Sequence, residues 1–202
     1  MRHFAFFIFF MLFILSACQE NETPTEKNTF PFDHIHEKFT YHPFHYPGEW
    51  DIVALSANVE HKYQDFEQPE NHGYSEVPHR YSFTFGRKAP ENEVQEEALH
   101  QFNERNALEG KTVRQVYYHS YFDYYAHLSI GQDGFTRLIS DFAETEEWEI
   151  EGESFLVLNR DHQWVINRYK DGVYYDLLIT AEAGITSPEQ TRELIKVIFI
   201  EA

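Results

Sequence analysis

Four histidines fall within twelve positions near the start of the chain: His34, His36, His42 and His45, in the stretch FPFDHIHEKFTYHPFHYPGEW. Imidazole is the commonest protein ligand for zinc and also suits copper. On a strand, alternate residues project from one face, so His34 and His36 would point the same way. Asp33 and Glu37 lie alongside as oxygen donors. The spacing departs from the zinc-protease pattern: His36-Glu37 opens like HExxH, but Thr40 stands where the second histidine is required. The stretch is therefore a candidate zinc or copper site. The competing reading is a surface strand and proline-broken loop in a chain that carries 12 histidines.

A second concentration of chemistry lies at 113–130, VRQVYYHSYFDYYAHLSI. Val116, Tyr118, Phe122, Tyr124, Ala126, Leu128 and Ile130 share one parity, which predicts a core-facing side. Tyr117, Tyr121 and Tyr125 fall on the other, with His119, Asp123 and His127. Aromatic faces stack well and keep a polar tip, so these tyrosines form a candidate platform for a sugar or a partner protein. The alternative is that they pack beneath a neighbouring helix. Strands usually run about 5–6 residues, so the stretch predicts a bend or hairpin near Ser120–Asp123.

The familiar catalytic signatures are missing. The sequence has no G-x-S-x-G, no complete HExxH and no phosphate-cradling glycine loop. Among 34 acidic residues, any one carboxylate pair carries little information. The expectation is a non-catalytic protein without a cofactor, with an unrecognised hydrolase as the alternative. A formal net charge of −18 argues against nucleic acid as a partner, since phosphates need basic surfaces. Disorder is not implied: hydrophobic residues make up 42% of the chain and aromatics 17%, enough to bury a core.

The elements that would position these groups are those of an α+β fold, an antiparallel sheet with two main helices at about 90–107 and 187–200. Apolar residues in 51–66 predict one or two strands, and 68–73 predicts a loop. Tyr81, Phe83 and Phe85 alternate as in a half-buried strand that Gly86 ends. Pro90 and the glutamates behind it suit a helix start, with Val94, Ala98, Leu99 and Phe102 as its apolar stripe and Gly110 as its stop. Gly131–Gly134 is a turn, and Phe135, Leu138, Ile139 and Phe142 have helical spacing over a short length. Short strands follow around Trp148, Phe155, Trp164 and Tyr174, with turns at 159–162 and at Asp171-Gly172, a strong hairpin signal. Ser187-Pro188-Glu189-Gln190 then combines a capping box with proline at the first helical position.

Residues 1–18 have the build of an export signal. Arg2 and His3 precede an unbroken apolar run from Phe4 to Leu15. That run is shorter than the roughly 20 residues a membrane-spanning helix needs, but it suits a signal-peptide core. Leu15-Ser16-Ala17-Cys18 closes it with the only cysteine in the chain. This stretch resembles the lipobox of bacterial lipoproteins. The resemblance implies cleavage between Ala17 and Cys18, with acyl chains of the diacylglycerol and palmitate kind on the Cys18 residue. It also implies a protein held on the extracytoplasmic face of the cell membrane, with the membrane as its first partner and an envelope protein as a further one. Removing residues 1–17 takes Arg2 from the 16 basic residues, leaving 15 against 34 acidic ones and a net charge of −19. The expected organisation is a signal peptide at 1–17 and a lipidated spacer at 18–29. A single α+β domain follows at 30–202, with candidate halves 30–110 and 111–202.

A second resemblance covers residues 147–200. Trp164, the hairpin Asp171-Gly172-Val173-Tyr174-Tyr175 and the helix start Ser187-Pro188-Glu189 resemble the C-terminal part of uncharacterised domains, of the DUF4367 type, in exported and anti-sigma-associated proteins of Bacillus-type bacteria. That family brings no catalytic residues. Together the features lead to a membrane-anchored extracytoplasmic lipoprotein acting as a binding, envelope or signalling accessory module. The alternative is a metal-binding lipoprotein that uses the histidine cluster.

Overall fold

The computed structural model describes residues 40–63 and 74–201. Seven strands form one antiparallel sheet: β1 (Asp51–Tyr63), β2 (Tyr74–Glu93), β3 (Val113–Gly131), β4 (Glu146–Ile150), β5 (Glu153–Arg160), β6 (Gln163–Lys170) and β7 (Val173–Ile179). Helix α1 (Glu96–Leu108) sits between β2 and β3, and helix α2 (Pro188–Phe199) follows β7. The α+β expectation holds, and the sheet runs continuously in the order β1-β2-β3-β7-β6-β5-β4.

The sheet curls because β3, besides pairing with β7, pairs with both β1 and β2. Its first part, Val113–Tyr118, pairs with β1, and its remainder, His119–Gly131, pairs with β2. Since β1 and β2 also pair with each other, the three long strands close on themselves. Of the expected bend or hairpin in 113–130, the structure has the bend. Two bulges against β2 produce it, with Tyr125 and Phe122 as the extra residues. Each bulge shifts the alternation by one, so a single parity does not run through the strand. Ala126, Leu128 and Ile130 are buried as expected, but Phe122 is 61% exposed. Gly86 does not end β2. It lies where β3 bulges toward β2, and an added Cβ would stand 2.1 Å from the Asp123 carbonyl oxygen. Only glycine tolerates that approach.

The other half of the sheet is a meander with three two-residue turns. Glu151-Gly152, Asp161-His162 and Asp171-Gly172 all hold positive φ at both positions. That is the geometry whose twist matches antiparallel strands. The sheet's remaining edge, β4, is five residues long and carries Glu146, Glu147 and Glu149. A short, charged edge resists pairing with other chains.

One face of the sheet holds the main core, including Phe83, Phe85, Leu128, Phe155, Ile166, Tyr175 and Leu177, all essentially inaccessible. Helix α2 covers it with Thr191, Leu194, Ile195, Ile198 and Phe199. Its start is as the sequence predicts: Ser187 accepts the Gln190 N–H, and Gln190 Oε1 accepts the Ser187 N–H. Ser187→Ala is expected to lower stability by about 1 kcal/mol, read as a shift in the urea midpoint. A loss below a few tenths would show that tertiary packing alone sets the helix start.

Helix α1 differs from expectation. It begins at Glu96 and not at Pro90, because β2 continues to Glu93, where it pairs with His119. The expected stripe is largely outside the core: Ala98 and Phe102 are exposed, and the buried residue is Asn106. The helix docks through amides. Asn103 accepts the Gln115 N–H at 2.7 Å and donates to the Gln115 carbonyl at 2.8 Å, while Asn106 donates to the Val113 carbonyl. These groups satisfy the backbone of β3 on the side away from β1, where no described strand pairs with this part.

Residues 135–142 form bends and turns with no helix. Of the four apolar positions, Ile139 is buried, whereas Leu138 and Phe142 are exposed. Four residues at helical spacing are too few to nucleate a helix. The second face of the sheet holds this segment through side chains. Ser82, Ser129, Asp176 and Asn167 stand in one row across four strands. The Asp176 carboxylate accepts the Arg137 N–H at 2.6 Å and its guanidinium at 3.0 Å, and Asn167 accepts the Ile139 N–H. Arg80, itself buried, donates to Thr136, Asp133 and the Gly134 carbonyl. A buried Asp176 carboxyl is pushed up by burial, against the pull of Arg137.

Candidate functional site

Of the four candidate metal ligands, His34 and His36 lie outside the described residues, as do Cys18 and the spacer. His42 and His45 belong to an irregular strap, residues 40–50, laid across the core face. Tyr41, Phe44, Tyr46 and Trp50 bury their rings there. Phe44 meets Phe83 edge-on at 5.1 Å between ring centres, and Trp50 packs on both Phe85 and Tyr125. The strap is pinned polar group by polar group. The His42 N–H donates to the Tyr175 hydroxyl at 2.7 Å, and the His42 ring Nε2 lies 2.7 Å from Asp171 in the β6–β7 turn. The His45 N–H donates to the Ile198 carbonyl near the end of α2. Among the described residues, no three His, Cys, Asp or Glu side chains come together in an arrangement that could hold a metal.

The three candidate tyrosines are likewise separated. Tyr117 and Tyr125 pack against the core margin. Tyr117 lies beneath the Lys88 ammonium, and Tyr125 lies beside Trp50. Tyr121 alone is exposed, next to Tyr118. The bulges at Phe122 and Tyr125 cause this division, since they turn Tyr125 inward and Phe122 outward. Sequence alternation, which assumes an unbroken pleat, does not register them.

A concave feature of the described surface lies elsewhere, between the Tyr46–Trp50 turn and α2. It is a groove of about 720 Å³. One wall is Tyr46, Pro47, Gly48 and Trp50. The other is the outer flank of α2 at Leu194 and Val197, continued by Ala183 and Ile185. The charged residues lining it are all glutamates, Glu49, Glu189, Glu193 and Glu201. Each wall has a physical origin. The turn is closed by the Trp50 N–H donating to the Pro47 carbonyl at 2.9 Å. The other wall is fixed because α2 is clamped at its start by the capping box and seated by Ile195 and Phe199 in the core. The Trp164 indole N–H donates to the Ile185 carbonyl, which sets the floor's edge.

The electrostatics of the rim follow from its place at the start of a helix. The Glu189 backbone N–H, and then the Ser187 hydroxyl, hold the Glu189 carboxyl below the usual carboxylate range. Beside the groove, Lys196 pairs with Glu193 at 2.7 Å. Burial, and then the charge of Asp51, push the Tyr46 phenol up, so it is a neutral part of the wall. Chemically, such a groove offers apolar contact area framed by negative charge.

Fold and groove together define an α+β protein whose curled seven-stranded antiparallel sheet is capped by a helix that also walls an open, acid-rimmed cleft. No family model, curated protein or solved structure matches this chain. Among the described residues, no helix is long and apolar enough to cross a membrane.

Proposed function

We propose that this chain is a lipid-anchored extracytoplasmic binding module, an accessory protein of the cell envelope that holds a partner at the membrane surface. The anchor half of the reading rests on Leu15-Ser16-Ala17-Cys18 after the apolar run Phe4–Leu15. The acidic spacer that follows would lift the folded part off the bilayer. The binding half is carried by one observation, the groove between the Tyr46–Trp50 turn and α2. Its walls are apolar, its lining includes no histidine, serine, cysteine or lysine, and its carboxylates stand on the rim. That composition favours holding a ligand over transforming it.

The anchor is tested by Cys18→Ala in the full chain. Expressed in a bacterial host fed a labelled fatty acid, the unsubstituted protein should carry label and sediment with membranes. The variant should lose the label and shift to the processed soluble fraction or accumulate as an uncleaved precursor. Full acylation of the variant would overturn the anchor.

A further inference from the structure

We propose that the groove beside α2 receives a basic amphipathic segment of a partner protein, an apolar face flanked by lysine or arginine. This deepens the binding-module reading and rests on it.

The shape of the groove argues for an elongated occupant. Glu189, Glu193 and Val197 follow one another at intervals of four on α2, so they form a row parallel to its axis, spaced about 6 Å apart. An amphipathic helix or turn laid along such a row presents its own residues at the same pitch. The apolar part of the lining then supplies area. Pro47 and Trp50 contribute from the turn, and Ile185, Leu194 and Val197 from the opposite wall. The occupant's apolar residues would enter between these walls, and its cations would meet the rim.

The sign of the occupant's charge follows from the lining. Glutamates stand on both sides, Glu49 on the turn and Glu189 and Glu193 on the helix, with no cation in the lining. The Glu189 carboxyl is held ionised by hydrogen bonds at the helix start. An anionic lipid surface or an acidic peptide would be repelled there. A basic segment gains from these rim charges, in competition with Lys196 at Glu193, and such contacts act chiefly on specificity and association rate.

The test uses a labelled Leu/Lys amphipathic peptide of about 14 residues, long enough to form a few helical turns. Its partner probe has the same leucines but glutamate in place of lysine. Binding is followed by fluorescence anisotropy with the full chain in a neutral detergent, and each variant is compared in the same micelles so that binding to detergent cancels. The Leu/Lys peptide should bind the protein, and Glu189→Lys with Glu193→Lys should weaken it about tenfold. Val197→Arg should weaken it to a similar degree. Glu189 and Glu193 are exposed and Val197 is half-buried, and the circular dichroism melt confirms that each variant is folded. A matched control, Glu97→Lys with Glu104→Lys, makes the same change in net charge on exposed positions of α1. It should alter affinity by less than about twofold. An equal loss from the control would reduce the attraction to net charge and overturn the proposal. If the Leu/Glu peptide binds as tightly and is displaced by Val197→Arg, the groove is a binding site but its partner is not basic. If neither peptide binds, this proposal and the binding half of the proposed function fall together.

Discussion

Glu153→Ala is expected to lower the stability of the folded chain by about 3 kcal/mol, whereas Arg168→Met is expected to cost much less. The reason lies in how the core holds one cation. Arg168 is 2% exposed on β6, and its guanidinium lies over the rings of Phe155, Tyr175 and Phe199 at 5.4–5.6 Å. Its polar contacts are the Glu153 carboxylate at 3.2 Å and the Phe199 carbonyl at 3.3 Å, and its Nε has no partner. Removing Glu153 leaves a positive charge among aromatic rings with one carbonyl to solvate it. Methionine at 168 removes the charge and fills much of the same space with a flexible apolar chain. The third corner of the cycle is decisive. In the Arg168→Met background, Glu153→Ala should cost less than about 1 kcal/mol, because Glu153 then keeps only its partly exposed pair with Lys170. Urea unfolding of the four proteins reads the coupling. If Arg168→Met is as damaging as Glu153→Ala, the stacking of the cation on the aromatic rings outweighs the relief of a buried charge.

Arg168 also shows why much of the fold is legible in the sequence while its special positions are not. The meander and α2 are local. Asp171-Gly172, and serine followed by proline and glutamine at 187–190, encode their turn and cap in adjacent residues, and the structure has both. The signals that mislead are those whose meaning depends on distant chain. Pro90 and its glutamates look like a helix start, yet β2 runs through them because His119 lies across from Glu93. The parity of 113–130 fails at Phe122 and Tyr125, where bulges against β2 shift the pleat. Of the histidine cluster, His42 and His45 stand in the strap, whereas His34 and His36 lie outside the described residues. The structure uses the interleaved aromatics Tyr41, Phe44 and Tyr46 to strap the sheet. The groove has no local signature. It arises where that strap and α2, separated by most of the chain, come side by side, and the alternation of Glu189 and Glu193 with Leu194 and Val197 is its one trace in the sequence.

The second large effect concerns acid. His127 lies on β3 on the sheet's second face, with its Nδ1 3.5 Å from the Thr84 hydroxyl across the strand pair. Burial, and then the positive charge of Arg137, lower its pKa from 6.5 to about 4. In the unfolded chain the ring takes up a proton near its ordinary value, so between these two pH values the unfolded state binds more protons than the folded one. Stability contributed by the neutral ring is therefore complete above about pH 6.5 and is lost progressively as pH falls toward 4. The full gap corresponds to about 3 kcal/mol as an upper figure. Asp176, across the same face, works in the opposite direction. Burial raises its carboxyl, so acidification through its range relieves a cost of folding. The two can be separated by comparing slopes. His127→Phe should flatten the fall in urea midpoint between pH 6.5 and 4.5, whatever its stability at neutral pH, because phenylalanine has no proton to bind. Asp176→Asn should steepen it. A variant with phenylalanine at 127 that retains the full acid slope would show that the ring is solvated in the folded protein. The ion-paired carboxylates Glu76 and Glu153 act at lower pH: their pKa values lie below the ordinary range, so the stability they contribute is lost below about pH 4.5 and His127→Phe leaves that loss unchanged.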